Sequence, residues 1–171
     1  MKIDTLCIHG SDTKFDPTGA ISVPIFQSAT FAHPGVGVST GYDYSRLQNP
    51  TREHLEKTIA KLENGCDAMA FSTGMAAIAA LMELFSPGDH IIASDDLYGG
   101  SHRLFCHISS KNGLKFDFLD TSDISATAAL IRPETKALLV ETPTNPMMQV
   151  TDLAAVAELC REHGLLLIVD N

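Results

Sequence analysis

Apolar positions follow two regimes along the chain. Through residues 1–48 they show little periodicity. Gly, Pro, Ser and Thr crowd between them, as in Pro24-Ile25-Phe26-Gln27-Ser28 and Pro34-Gly35-Val36-Gly37. An irregular stretch of this length is uncommon in a compact domain unless it is functional or an interaction arm. From residue 50 the pattern turns regular. Asn49-Pro50-Thr51, with Glu53 close behind, is a helix start. Leu55, Ile59 and Leu62 then recur at helical spacing, and Asn64-Gly65 closes the turn. Residues 68–71 form a short apolar run with the length of a strand. Residues 74–85 are alanine-rich and apolar nearly all round, which predicts a buried helix broken by Pro87-Gly88.

Beyond residue 88 the two periods alternate. Strands are predicted over 90–93, 116–119, 136–141 and 165–169, the last a wholly apolar, buried run ending at Asp170. Helices are predicted over 101–111, 124–131 and 153–163, with Gly164 ending the last. Strands alternating with helices imply an α/β fold, a mostly parallel sheet with helices on both faces. Short, wholly apolar strands fit burial on both sides. In such sheets the ligand site lies beyond the carboxyl ends of the strands, so the residues just after each strand carry the search for function.

Charge narrows the class of ligand. Twenty-one acidic residues against 12 basic ones give a formal net charge of −9 without any basic run. Nucleic-acid and membrane-surface roles are disfavoured, and the longest apolar stretches are too short to span a bilayer. With 44% apolar residues the chain can bury a sizeable core. Cys7, Cys66, Cys106 and Cys160 form no CxxC pair and no zinc spacing, so they read as free thiols of a reducing compartment. The histidines are dispersed; His102 and His107 are five apart, unlike a metal pair. The start, Met-Lys-Ile-Asp-Thr, lacks an apolar signal core. These features fit a cytoplasmic enzyme acting on small molecules.

Several strand ends carry chemistry. Ser72-Thr73-Gly74-Met75 opens a helix, where free N–H groups and the helix dipole make a natural anion site; an ordinary N-cap has the same composition. Tyr98-Gly99-Gly100 can lay an aromatic ring over a flat ligand, or be a plain glycine-rich loop. Glu141-Thr142-Pro143-Thr144-Asn145-Pro146 is stiffened by its X-Pro pairs, which hold Glu141 and Asn145. Asp170, after so apolar a strand, needs a partner such as a protonated ring nitrogen, or else caps the next turn. Arg46 can grip a phosphate with two parallel N–H groups, or sit on the surface. A phosphorylated, flat, protonated heterocycle would use all of these, and pyridoxal 5'-phosphate (PLP) has that form.

Five motifs in order make the resemblance specific: Tyr44-Ser45-Arg46-Leu47-Gln48-Asn49-Pro50-Thr51-Arg52, Ser72-Thr73-Gly74-Met75, Leu97-Tyr98-Gly99-Gly100, Glu141-Thr142-Pro143-Thr144-Asn145-Pro146 and Val169-Asp170-Asn171. Over essentially its whole length the chain resembles the Cys/Met-metabolism PLP enzymes. These are the cystathionine γ-synthases, cystathionine γ- and β-lyases, methionine γ-lyases and O-acylhomoserine sulfhydrylases. The resemblance implies the fold-type-I, aminotransferase-like architecture, here truncated. Residues 1–48 would be an arm making inter-subunit contacts, and 49–171 the first part of the PLP-binding large domain. It further implies that Tyr44 and Arg46 bind the PLP phosphate of an adjacent subunit in a dimer or tetramer. Ser72, Gly74 and Met75 would cradle the phosphate of their own subunit. Tyr98 would stack on the ring and serve proton transfer. Asn145 would lie by the ring's phenolic oxygen, and Asp170 by its nitrogen. Asp43 and Arg103 would face the substrate, and Glu141 would order the site on the substrate side.

Within the family, Gly100 stands where methionine γ-lyases usually have cysteine, Arg103 resembles the arginine of γ-synthases and γ-lyases, and Asp43 resembles γ-synthases, where γ-lyases more often have glutamate. The resemblance therefore points to γ-replacement on an O-acylhomoserine, with the lyases and sulfhydrylases as the alternative. The chemistry needs a lysine that forms a Schiff base with the cofactor. In the family that lysine lies downstream of the position of Asp170, in a Ser/Thr-x-x-Lys setting. None of Lys2, Lys14, Lys57, Lys61, Lys111, Lys115 and Lys136 is assigned the role. The expectation is an N-terminal part of a longer protein, inactive alone. A non-catalytic assembly module is the reading from another class.

Overall fold

A computed structural model describes residues 2–10 and 19–171. Lys14 and part of the expected arm lie outside the described residues. The chain divides into two compact units, residues 1–72 and 73–171.

Among its described residues the first unit holds two helices. α1 spans Ile3–His9 and buries Leu6. The pattern over 1–48 predicts only irregular chain; a helix of 7 residues with one buried position is too short to show a period. Gly10 ends it at φ 70°, and a side chain there would run into the His54 ring. α2 spans Pro50–Leu62, with proline in the first turn and Asn49 accepting the Thr51 N–H. The strand predicted over 68–71 is absent. Its segment pairs with no strand among the described residues, and the Ala70 N–H goes instead to the Glu56 carboxylate at 2.9 Å.

The second unit is a parallel four-stranded sheet in the order β2-β1-β3-β4. The strands are β1 (His90–Ser94), β2 (Lys115–Leu119), β3 (Thr135–Glu141) and β4 (Leu166–Asp170). All of β1 is buried, and β3 is buried except at Lys136. Alternate residues build two cores. Ile91, Ala93, Ala137 and Leu139 pack with Ile78, Met82 and Phe105 on one face, while Ile92, Leu138 and Val140 pack with Val156 and Cys160 on the other. The first core uses α3 (Gly74–Met82) and α4 (Gly99–Leu104); the second uses α6 (Leu153–His163), with Ile124 of α5 (Ile124–Ala129) packed against it. Helices on both faces, as the alternation predicts, therefore follow from two-sided burial of the strands.

Three sequence expectations need correction. α3 ends at Met82, short of 85, and buries only Ile78 and Met82. Its other positions keep partial solvent contact, since an alanine-rich helix is apolar all round whether or not every side is covered. The predicted helix over 101–111 begins at Gly99, because the Tyr98 carbonyl already accepts the N–H groups of Ser101 and His102. It continues as a π-helical turn, Phe105–Ser109. β4 is not wholly buried. Ile168 is inside, but Leu166 and Val169 are 46% and 39% exposed, because among the described residues β4 pairs with β3 alone.

Candidate functional site

Strand order locates the site. From β1 the chain moves to β2 on one side, and β3 lies on the other, so β1 and β3 flank the point where the order reverses. The crevice beyond their carboxyl ends is where ligands bind in open α/β sheets. A groove of about 730 Å3 opens there, lined by Gly74 and Met75 of α3, Tyr98 after β1, Glu141 and Pro143 after β3, and Asp170 at the end of β4. The volume is in the range of small-molecule sites.

Each group is held for a local reason. Thr73 caps α3 by accepting the Ala76 N–H, and its carbonyl takes the first helical bonds from Ala76 and Ala77. The N–H groups of Gly74 and Met75 precede those bonds and are left for another acceptor. Nothing lies within 4 Å of where a Gly74 side chain would start, so a ligand can come up to the backbone. The Tyr98 ring is 55% exposed and rests beside Gly100. A Cβ at Gly100 would overlap that ring and come within 2.9 Å of the Met75 sulfur. Gly100 thus makes room for the ring, which is the physical content of the Tyr98-Gly99-Gly100 signal.

Glu141 is buried, and both carboxylate oxygens are taken by backbone. One accepts the Tyr98 N–H at 2.7 Å and the other the Asn145 N–H at 3.2 Å. The side chain therefore ties the Tyr98 loop to the proline loop. Asp170 lies beside Glu141 in the β3–β4 register, and its carbonyl accepts the Thr142 N–H. Its half-buried carboxylate meets no cation among the described residues. A helix N-terminus without an acceptor, an aromatic plate and an unpaired carboxylate around one groove fit a phosphorylated, protonated ring such as PLP.

The groove brings Gly74, Met75, Tyr98, Glu141 and Asp170 together. Asn145 reaches it through its backbone bond to Glu141, and Arg103 is exposed on α4, outside the groove's lining. Asp43, Tyr44, Arg46 and Ser72 belong to the first unit. There Asp43 takes the Ser39 hydroxyl at 2.6 Å and lies 3.2 Å from the His33 ring. The Arg46 guanidinium stands 5.1 Å over the Tyr44 ring and pairs with no carboxylate among the described residues. In the same unit Tyr42 donates its hydroxyl to Glu53; burial and then that carboxylate push the phenol up to about 12. Two lysines do have the bare Ser/Thr-x-x-Lys spacing, Lys14 and Lys61. Both precede Asp170, and Lys61 lies on the exposed side of α2.

Two supports escape the sequence reading. Asp96 accepts the Thr144 hydroxyl and the Met147 N–H, at 3.0 Å for the latter, and so pins the proline loop from below. A ladder of buried hydroxyls also runs under the site. The Glu141 N–H meets Ser94 Oγ at 3.2 Å, Ser94 meets Thr121 at 2.9 Å, Thr121 meets Thr151 at 3.2 Å, and the Thr151 N–H meets Thr142 Oγ1 at 3.1 Å. Single serines and threonines scattered from Ser94 to Thr151 carry no motif; only their places at the ends of apolar strands hint at a shared layer.

The sequence profile of the family described as "Cys/Met metabolism PLP-dependent enzyme" matches residues 4–171. Among curated proteins, the cystathionine gamma-lyase of Bacillus subtilis is 48% identical over 171 residues, all of this chain and 45% of that protein. A cystathionine gamma-synthase/O-acetylhomoserine (thiol)-lyase of the same organism is 53% identical over 154 residues, 90% of this chain and 41% of that one. The crystal structure of a cystathionine gamma-lyase from Lactobacillus plantarum, complexed with L-serine, matches with a TM-score of 0.95 at 47% identity, over all of this chain and 45% of that one. The chain thus spans less than half the length of these relatives. A groove shaped for a phosphorylated ring, the matching profile and this agreement of backbones meet in one conclusion: the chain belongs to the Cys/Met-metabolism PLP-dependent enzyme family.

Proposed function

We propose that the whole protein is a PLP-dependent trans-sulfuration enzyme that replaces the γ-substituent of an O-acylhomoserine with cysteine, giving cystathionine and a carboxylic acid. The observation that carries this reading is the groove where the start of α3, the Tyr98 ring and the Asp170 carboxylate face one space. Bound there, PLP would supply the electron sink that lets a γ-substituent leave. In this reading Ser72, Gly74 and Met75 hold the phosphate, and Tyr44 and Arg46 hold that of a neighbouring subunit. Asp170 keeps the ring nitrogen protonated, Asn145 orients the ring's oxygen side, and Tyr98 stacks on the ring and moves a proton at its hydroxyl. Arg103 and Asp43 meet the polar ends of the substrate. The assembly is a dimer or tetramer, working in the cytoplasm.

Support for γ-replacement comes from the 53% identity to the gamma-synthase/O-acetylhomoserine (thiol)-lyase. A second reading, elimination from cystathionine, has the support of the 48% identity to a gamma-lyase along the entire chain. Supplying the full-length protein with an O-acylhomoserine plus cysteine in one assay, and with cystathionine in another, separates the two. Cystathionine is the expected product. Keto acid and ammonia released from cystathionine, with no replacement product, would sink the first reading and leave the second.

A further inference from the structure

We propose that Arg52 is a positioning residue: it sets the Tyr44–Arg46 turn, and through Glu56 it ties that turn to the segment entering Ser72. The inference rests on the reading that Arg46 and Ser72 serve the cofactor phosphate. The Arg52 guanidinium donates to the Ser45 carbonyl at 3.0 Å and to the Leu47 carbonyl at 2.6 Å. These are the residues on either side of Arg46. Ser45 is also gripped from the far side. Its N–H donates to the Ala29 carbonyl at 2.9 Å, its hydroxyl donates to the Ser28 carbonyl, and the hydroxyl oxygen accepts from Asn49 at 2.9 Å. The backbone around Arg46 is therefore clamped, while its own guanidinium is left over the Tyr44 ring, with no carboxylate among the described residues to hold it.

The remaining face of Arg52 points along α2. Its Nε lies 3.4 Å from Glu56 Oε1, and the same oxygen accepts the Ala70 N–H at 2.9 Å. Ala70 is two residues before Ser72. Both side chains of this pair are largely covered, at 32% and 21% exposure. An ordinary helix-surface ion pair one turn apart would have no bonds to distant backbone. Here one planar fork reaches two carbonyls and a carboxylate at once, a geometry that lysine cannot copy. If the turn serves a neighbour's cofactor and the 70–72 segment its own, one arginine sets the backbone for both.

The test uses the full-length protein stripped of cofactor, with PLP affinity followed by absorbance and the bound phosphate by 31P NMR. Losing Arg46 in R46A should weaken PLP about 100-fold, the scale of two charge-assisted hydrogen bonds. Arg52→Lys should weaken it about 10-fold, shift the phosphate resonance and leave the oligomeric state unchanged. In the double variant R46A/R52K the losses should fall short of their sum, because part of what Arg52 does runs through Arg46 and the rest through Glu56. Wild-type affinity in R52K beside a weakened R46A overturns the inference and spares the reading. Fully additive losses also overturn it, since they would show that Arg52 does not set the turn that carries Arg46. Unchanged affinity in R46A overturns the reading and takes the inference with it. Should R52K fail to fold, E56Q carries the test: it keeps an acceptor for Ala70 but loses the charge that holds Arg52. About 3-fold weaker PLP binding supports the inference, and wild-type affinity refutes it.

Discussion

Residues 1–72 and residues 73–171 are built on different principles. In the second unit order comes from burial. Ile91, Ile92, Leu138 and Val140 are fully enclosed, and the sheet is covered on both faces. In the first unit Ile21, Ile25, Val36, Leu47 and Met69 are exposed, and order comes from side chains that hold distant backbone. Thr51 bonds the Pro24 carbonyl and the Phe26 N–H, Asn49 bonds the Phe26 carbonyl, and Arg52 bonds the carbonyls of Ser45 and Leu47. The difference teaches that a packed sheet can carry a site by its topology alone, whereas an irregular segment must be pinned group by group.

Substitutions at four positions test that contrast. The largest effect should come from Leu138→Ala at the centre of β3, which should cost about 3–5 kcal/mol by leaving a cavity in a site that cannot collapse. Denaturant unfolding of the full-length protein measures it. A loss below about 1 kcal/mol would mean that burial does not dominate the second unit. Next, Glu141→Ala should cost about 2–3 kcal/mol, because two backbone N–H groups lose their acceptor in a buried place. Glu141→Gln, which keeps one acceptor oxygen, should lose less, and equal losses would show that the two bonds do not matter.

The third test uses pH. His90 is enclosed at the amino end of β1, the end of the sheet away from the groove, with Nδ1 2.8 Å from the Thr135 hydroxyl and Nε2 3.3 Å from Asp117. Its Nε2 contact is an ion-pair distance without hydrogen-bond geometry. Burial, and then the charge of Arg132, hold its pKa below the ordinary value, with Asp117 opposing them. The unfolded chain therefore binds the proton more readily. Stability from this group is complete above about pH 6.5 and falls as the pH drops toward the folded-state value. The slope has a ceiling of about 1.4 kcal/mol per pH unit for one proton. His90→Asn should flatten the stability profile between pH 5 and 6.5, roughly the range where a free histidine titrates. An unchanged slope would assign it to other groups. The smallest effect should be that of Asn49→Ala, about 1 kcal/mol for a lost helix cap. Hydrogen exchange should show it in the first turn of α2 and not in the sheet.

How much is legible in the sequence follows from the same contrast. Every strand of the sheet can be read to within a residue or two, because apolar runs such as 90–93 and 136–141 are punctuated by turns. Tyr98, Glu141 and Asp170 stand out because the end of a strand is a recognisable place. What escapes depends on company rather than composition. Whether Leu166 and Val169 are covered is decided by the strand's position in the sheet, which the run of apolar residues does not encode. The run over 68–71 has strand composition but no partner. Thr51 meets Pro24 across 27 positions of chain, and no local spacing marks such a bond. Asp96 has the composition of a loop residue, and only its two partners in the proline loop give it a role.

The hydroxyl ladder beneath the groove has a consequence for how this sequence can drift. Thr121 is 2% exposed and bonds Ser94 on one side and Thr151 on the other. Thr121→Val would keep the shape of the side chain, leave the Thr151 hydroxyl without its partner and leave Ser94 with the Glu141 N–H alone. Acceptable change at these positions is therefore collective. Descendants of this chain should keep the hydroxyls together or exchange them together, and a valine at position 121 alone should be rare among them.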